Sequence, residues 1–322
     1  MRRPPATELV PCNLCGADDY DVVGRRDRDG HALRTVLCRR CGLVWTNPRP
    51  SAADLDRYYQ AEYRADYSGT STPARRKILR GMLGAGDRLT AVRPLLHPGT
   101  TLLDVGCGAG ELVYLLRREQ INAAGLEPGM EYAEFARRVL GVPVQTATVE
   151  TAVVAACSQQ VVTMFHCLEH VADPKRVLRT VREWLTPGGT VVVEVPNVAS
   201  TVQAPAHRFH FAHLYHFSGA TLAALGEAVG LRSVSTGYSA DGGNVIAMFR
   251  RDSDEVRLAT GLGGEAARTR SILQDQTAWR HYLSATPYVR AVRRLRRRRQ
   301  EDRLLGQLPT VDHILRWVAG QS

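Results

Sequence analysis

The sequence predicts an α/β protein: a doubly wound, seven-stranded, mainly parallel sheet, preceded by a small cysteine-turn module and followed by a helical, basic tail. Three observations carry this reading. An apolar run ends in an acidic residue and three alternate glycines (Thr101–Gly110, TLLDVGCGAG), strand-like and helix-like segments alternate from Thr100 to Arg250, and four cysteines fall as two CxxC pairs. Repeated strand-helix units with short connections imply a parallel sheet covered on both faces.

Residues 1–50 read as a zinc ribbon. Cys12, Cys15, Cys38 and Cys41 stand in the turns CNLCG and CRRCG, and two such turns present thiolates tetrahedrally around one ion. Four thiolates close the shell, so the zinc is expected to be structural. Ribbon strands are predicted over Ala32–Leu37 and Leu43–Trp45, with an exit through the turn-rich NPRPS. Cys107, Cys157 and Cys167 are left as small apolar residues.

Residues 51–98 read as a helical connector, with a polar break at Ser68–Pro73 and a helix from Ala74 to Leu96. Its tyrosines approximate one helical face, which suits packing. The other reading is a lid in which Tyr63 or Tyr67 lines a substrate.

Residues 99–250 carry the ligand-binding pattern. Leu102, Leu103 and Val105 form a buried strand, Gly106, Gly108 and Gly110 a tight turn without Cβ atoms in the way, and Glu111–Glu119 a helix. Glu127 follows the second strand, about 20 residues after the glycines, where a carboxylate accepts both hydroxyls of a ribose. Further strands are predicted at Val142–Gln145, Val161–Phe165, Thr190–Glu194, Leu231–Tyr238 and Asn244–Arg250, and helices at Lys175–Leu185 and Thr221–Val229.

GxGxG preceded by Asp104 resembles the first motif of the class I S-adenosylmethionine methyltransferases. FHCLEHVADP (Phe165–Pro174) and LTPGGTVVVEVPN (Leu185–Asn197) resemble the two later motifs, in the same order. The resemblance implies that Asp104, Gly106, Gly108 and Gly110 cradle the methionine portion of S-adenosylmethionine and Glu127 its ribose. Val149 and Glu150 would flank the adenine, and His166 would stand beside the cofactor.

Methyl transfer to a hydroxyl needs a positioned nucleophile and help in removing its proton. The run from His207 to Ser218 has four histidines in ten residues. His213 is the first candidate base, His166 the second and His210 the third. Structural or substrate hydrogen bonding is the competing role, and metal binding a third, which the lack of carboxylates in this segment disfavours. Glu169, Asn197 and Tyr215 join Tyr63 and Tyr67 as candidate substrate-lining residues, and His170 is expected to be architectural.

Ribbon, NPRP exit, tyrosine-bearing connector, core and HLYHFS segment together resemble a bacterial family of zinc-containing class I methyltransferases. That family includes C-methyltransferases acting on nucleotide-linked deoxysugars and members from glycan and secondary-metabolite clusters. The resemblance spans Cys12 to Arg250 and implies transfer to a hydroxyl of a sugar, glycan or glycosylated small metabolite. Ala212 precedes His213 where the sugar C-methyltransferases carry glutamate, which favours O- over C-methylation.

Residues 251–322 read as a helical Arg-rich extension. Seven arginines between Tyr288 and Arg299 largely account for a formal charge of +10 on 322 residues. They suit either a solvated helix face or a polyphosphate partner: nucleic acid, an anionic membrane surface or a pyrophosphate-bearing carrier. An RNA methyltransferase would also join a ribbon to this core. Against it, the arginines sit in the tail, the ribbon lacks a stacking surface, and no NPPY-type tetrapeptide follows the fourth strand. A non-catalytic zinc-ribbon binding protein is the remaining alternative. No apolar run approaches the ~18 residues of a membrane span and Met1–Pro11 lacks the apolar stretch of a secretion signal, so a cytoplasmic location is expected.

Overall fold

The computed structural model describes residues 7–51, 54, 73–252 and 262–320. The ribbon comprises β1 (Thr7–Glu8), β2 (Tyr20–Arg26), β3 (Ala32–Cys38), β4 (Val44–Thr46) and β5 (Arg49–Pro50). After it come α1 (Arg75–Val92), β6 (Thr101–Val105), α2 (Glu111–Arg118), β7 (Asn122–Leu126), α3 (Met130–Phe135) and β8 (Val144–Gln145). The chain continues through β9 (Gln159–Phe165), α4 (Pro174–Trp184), β10 (Leu185–Pro196), β11 (Tyr215–His216), α5 (Gly219–Glu227), β12 (Arg232–Tyr238) and β13 (Asn244–Arg250). Its tail forms α6 (Glu265–Asp275), α7 (Ala278–Leu283), α8 (Thr286–Gln307) and α9 (Val311–Ala319).

Seven strands make one sheet in the order β12-β13-β10-β9-β6-β7-β8. β9–β10, β6–β7 and β7–β8 pair parallel, and β13 runs antiparallel to β10 and β12. Contacts divide the chain into two compact units, Met1–Asp56 with Val154–Pro287 and Arg57–Val153 with Tyr288–Ser322.

In the first unit the ribbon is a four-stranded sheet ordered β11-β4-β3-β2. Sequence reasoning foresaw β3 and β4 but neither outer strand. β2 is hidden because its register slips around Gly24, which interrupts the alternation that marks a strand. β11 contributes only two residues, which pair as Tyr215↔Trp45 and His216↔Val44. Val36, Leu37, Leu43, Val44 and Trp45 are completely buried. Leu37 and Val44 pack in one cluster with Val198 and Phe209.

The first cysteine turn is bonded to the start of α4. Asp173 is the N-cap, its carboxylate accepting from the backbone of Arg176 at 2.9 Å and from the amide of Asn13 at 2.8 Å. Lys175 Nζ donates to the carbonyl of Leu14 at 2.8 Å. Pro174 fills the first helical position, where a missing N–H costs nothing, and Val177, Leu178, Val181 and Trp184 turn inward. β9 and β10 supply Val161, Val162, Met164, Val191, Val192 and Val193 to the interior, the continuous apolar pattern of strands covered on both faces.

In the second unit β6, β7 and β8 carry Leu102, Val105, Ala123, Leu126 and Val144 inside. α1 buries Ile78, Leu79, Met82 and Leu89. The C-terminal part of α8 is tied to α1 by Glu301, almost wholly buried, whose two oxygens accept from Arg80 at 2.9 and 2.7 Å. Such a two-point guanidinium–carboxylate pair fixes direction as well as distance.

Replacing Asp173 with alanine removes both the N-cap of α4 and its bond to the cysteine turn. We expect a loss of about 1–2 kcal/mol in urea unfolding, with most of it recovered in Asp173→Asn, which keeps an acceptor oxygen.

Candidate functional site

In the second unit β6 delivers a buried Asp104 and then turns through Gly106, Gly108 and Gly110, all left-handed, with φ of 74°, 60° and 84°. A side chain at Gly110 would meet the Cβ of Ala136 at 2.9 Å and Cγ2 of Val142 at 3.0 Å. Glycine is required there by backbone and by space. Glu127, only 1% exposed, closes the turn from the end of β7. Its Oε2 accepts from the N–H of Gly108 and its Oε1 from that of Gly129, both at 3.0 Å. Val149 is buried and Glu150 exposed in the turn after β8.

In the first unit, histidines and glutamates gather at the carboxyl ends of β9 and β10. His166, the residue after β9, has φ 54°, a strained conformation outside glycine that concentrates at functional sites. Its Nδ1 stands 3.4 Å from Oε1 of Glu169 and its Nε2 3.3 Å from Oε1 of Glu194. Asn244 donates to the same Glu194 oxygen at 2.6 Å. Burial opposes a charge on His166, but the carboxylates of Glu169 and Glu194 beside it outweigh burial and raise its pKa to about 9. At neutral pH it is an imidazolium. Glu169 is 1% exposed and neither oxygen accepts a hydrogen bond of good geometry. Burial pushes its carboxyl upward, yet the charges of His170 and His166 hold it below the ordinary value, as a carboxylate.

The ring of His213 packs edge-on against that of His170, centroids 4.8 Å apart, and 5.5 Å from that of His210. Burial first, and then His170, His216, His210 and His166, hold His213 well below the usual histidine range. It is neutral, with a lone pair available. Burial likewise lowers His210 to about 4, helped by Arg28, and His216 to about 3. His170 is fixed by a 2.8 Å bond between its Nδ1 and the carbonyl of Ala212. One ligand atom from each of Glu169, His170 and His213 lies within 4.8 Å of the others.

This histidine segment is anchored to the ribbon. The N–H of Thr46 donates to the carbonyl of Leu214 at 2.8 Å, extending the β4–β11 ladder on the side of His213, and the N–H of Leu214 donates to the carbonyl of Glu169 at 2.8 Å. Tyr215 is buried, its hydroxyl donating to the carbonyl of Ala172 at 3.1 Å and accepting from Arg49 at 3.0 Å. Asn197 bonds the backbone of Gly242 and Ala199. Tyr63 and Tyr67 lie outside the described residues. Glu194 and Asn244 were not anticipated. The signal for Glu194 was present, as the one charged residue in the apolar run Val191–Val195.

The sulfurs of Cys12, Cys15, Cys38 and Cys41 all lie within 4.8 Å of one another, with Cys12–Cys41 at 3.4 Å and Cys15–Cys38 at 3.5 Å. Hydrogen bonds with Cys12 and Cys41 pull the Cys38 thiol below its ordinary value, while those with Cys12 and Cys38 push Cys41 up. Four sulfurs at such distances fit one tetrahedral cation, around which several thiolates coexist.

A family model described as a methyltransferase domain matches residues 74–236, just over half of the chain. Over 105 residues the chain is 38% identical to a ubiquinone biosynthesis O-methyltransferase of Cronobacter sakazakii and 36% identical to that of an Escherichia coli strain. Those alignments cover 31% of this chain and 43% and 44% of the two relatives, so the chain spans less than half the length of the curated proteins it matches. Among solved structures, the 1,6-didemethyltoxoflavin-N1-methyltransferase of Burkholderia thailandensis superposes with a TM-score of 0.48 at 15% identity, covering 66% of this chain and 96% of that one.

Gly110→Ala forces a side chain into left-handed backbone and against Ala136. We expect about 2 kcal/mol of destabilisation in chemical denaturation, with Gly86→Ala, in the open middle of α1, neutral or stabilising.

Proposed function

The chain belongs to the methyltransferase-domain family, and we propose that it transfers a methyl group from S-adenosylmethionine to a hydroxyl of a sugar, glycan or glycosylated small metabolite. One observation supports a hydroxyl acceptor above the others: within one cluster His166 is held protonated and His213 neutral. Neighbouring groups driven to opposite protonation states mark an acid–base pair.

In this reading the turn from Asp104 to Gly110 holds the methionine portion of the cofactor, Glu127 takes the ribose hydroxyls, and Val149 and Glu150 border the adenine. The cofactor supplies a methyl carbon bonded to a sulfonium. His213 accepts the proton of the acceptor hydroxyl, and Glu169, a buried anion within 4.8 Å, stabilises the imidazolium that forms. His166, clamped by Glu169 and Glu194, donates a hydrogen bond to the acceptor and orients it. The description of the curated relatives as O-methyltransferases is consistent with this choice over C-methylation. The sugar or glycan class rests on the resemblance of the ribbon, core and HLYHFS segment.

Cys12, Cys15, Cys38 and Cys41 would hold a structural zinc whose task is to keep β4 in place beneath the histidine segment. A second reading gives Glu169, His170 and His213 a divalent cation of their own, favoured by their shared spacing. It requires a second metal equivalent per chain, removable by chelator with the zinc retained, and turnover that returns with the added cation.

His213→Ala should lower turnover by about 100-fold or more while leaving the affinity for S-adenosylhomocysteine, measured by calorimetry, unchanged. Unaltered turnover would sink the base assignment. Because His166 acts as an imidazolium and its pKa is raised to about 9, kcat/KM should hold below that pH and fall as pH rises through it. His166→Gln should remove this alkaline limb. Cys38→Ser should release the zinc and lower turnover, with S-adenosylhomocysteine binding retained.

A further inference from the structure

The tail helix α8 (Thr286–Gln307) lies beyond residues 74–236, the part matched to the methyltransferase family, and the proposed chemistry makes no use of it. Its last turns are docked. Glu301 and Leu305 are buried, and Arg76, Arg80 and Arg297 converge on Glu301 or its neighbour Asp302. The preceding turns are different: every residue from Ala291 to Gln300 is exposed. Packing against the rest of the protein does not hold this stretch, although most helices in proteins depend on such packing.

Its composition is two-sided. Tyr288, Val292 and Leu295 recur at i, i+4 and i+7, on one face, and are 62%, 49% and 51% exposed. Between Tyr288 and Gln300 stand seven arginines and no acidic residue. Arg293, Arg294, Arg296, Arg297 and Arg298 occupy the other faces, and Arg299 takes the next position along the apolar stripe. A merely solvated face gains nothing from three large apolar groups held in water. A second copy of the same helix would bring seven like charges against seven. A nucleic-acid backbone would satisfy the arginines but leave the stripe in water. A surface that offers phosphates in its headgroup layer and hydrocarbon just beneath satisfies both.

We infer that α8 is a membrane-surface anchor: Tyr288, Val292 and Leu295 insert at the headgroup–acyl boundary of an anionic bilayer while the arginines engage its lipid phosphates. The helix lies on the membrane, since no helix among the described residues is long and apolar enough to cross one. Arginine stems are long enough to remain beside buried apolar groups while their guanidinium heads reach the phosphate layer. The stripe is short, so the charges must supply much of the binding, and it weakens with salt.

The experiment is flotation of the full chain with phosphatidylcholine vesicles, alone and with phosphatidylglycerol mixed in, at low and high salt. Wild-type protein should float with the mixed vesicles only, and lose binding at high salt. Arg293→Gln with Arg296→Gln should weaken it by roughly fivefold per arginine removed. Val292→Asp with Leu295→Asp should abolish it. All four positions are exposed, and unchanged circular dichroism and S-adenosylhomocysteine affinity would show that the variants are folded. Equal flotation with both vesicle types, no flotation, or undiminished flotation of the stripe variant would each overturn the anchor. Salt-sensitive RNA binding indifferent to the stripe would identify nucleic acid as the partner instead.

Discussion

The two-residue pairing of β11 with β4 is the constraint on which the candidate catalytic cluster depends. Tyr215 and His216 take their places opposite Trp45 and Val44, and the bond from Thr46 to Leu214 continues the ladder toward His213. A strand of two residues has no stability of its own. It persists here because the ribbon presents a completed edge, because Glu169 accepts from the Leu214 backbone, and because Tyr215 bonds Arg49 and Ala172. The ribbon thus acts as a template for the histidine segment.

Electrostatics in the cluster follow from this placement. Several histidines crowded into a buried space cannot all carry protons, so repulsion and desolvation discharge His210, His213 and His216. His166 escapes because two carboxylates flank it. Its left-handed backbone is the cost of aiming the ring between them. One cluster therefore holds a protonated and a neutral histidine, His166 and His213, set apart by their neighbours.

The glycine turn is governed by sterics more than by charge. Glu127 grips the turn through backbone N–H groups, and the close approach of Ala136 and Val142 leaves no room for a side chain at Gly110. Loop and carboxylate hold one another in place through these backbone bonds. The tail shows the opposite balance, with one end of α8 fixed through Glu301 and every residue from Ala291 to Gln300 exposed.

Local patterns in the sequence determined much of this protein. Apolar runs at strand and helix spacing placed the sheet from Thr101 to Arg250, the glycines marked their turn, and the CxxC spacing marked two cysteine turns, since each signal acts over a few neighbouring residues. Tertiary structure alone decided what crosses long stretches of chain. Examples are the pairing of β11 with β4, the clamp of Glu194 and Asn244 on His166, and the burial of Glu169 among histidines. It also decided that the hydroxyl of Tyr215 is engaged by Arg49 and Ala172. The physical reason is that spacing encodes which face of an element is apolar, whereas protonation state and partnership depend on distances between residues far apart in sequence, which exist only once the chain has packed.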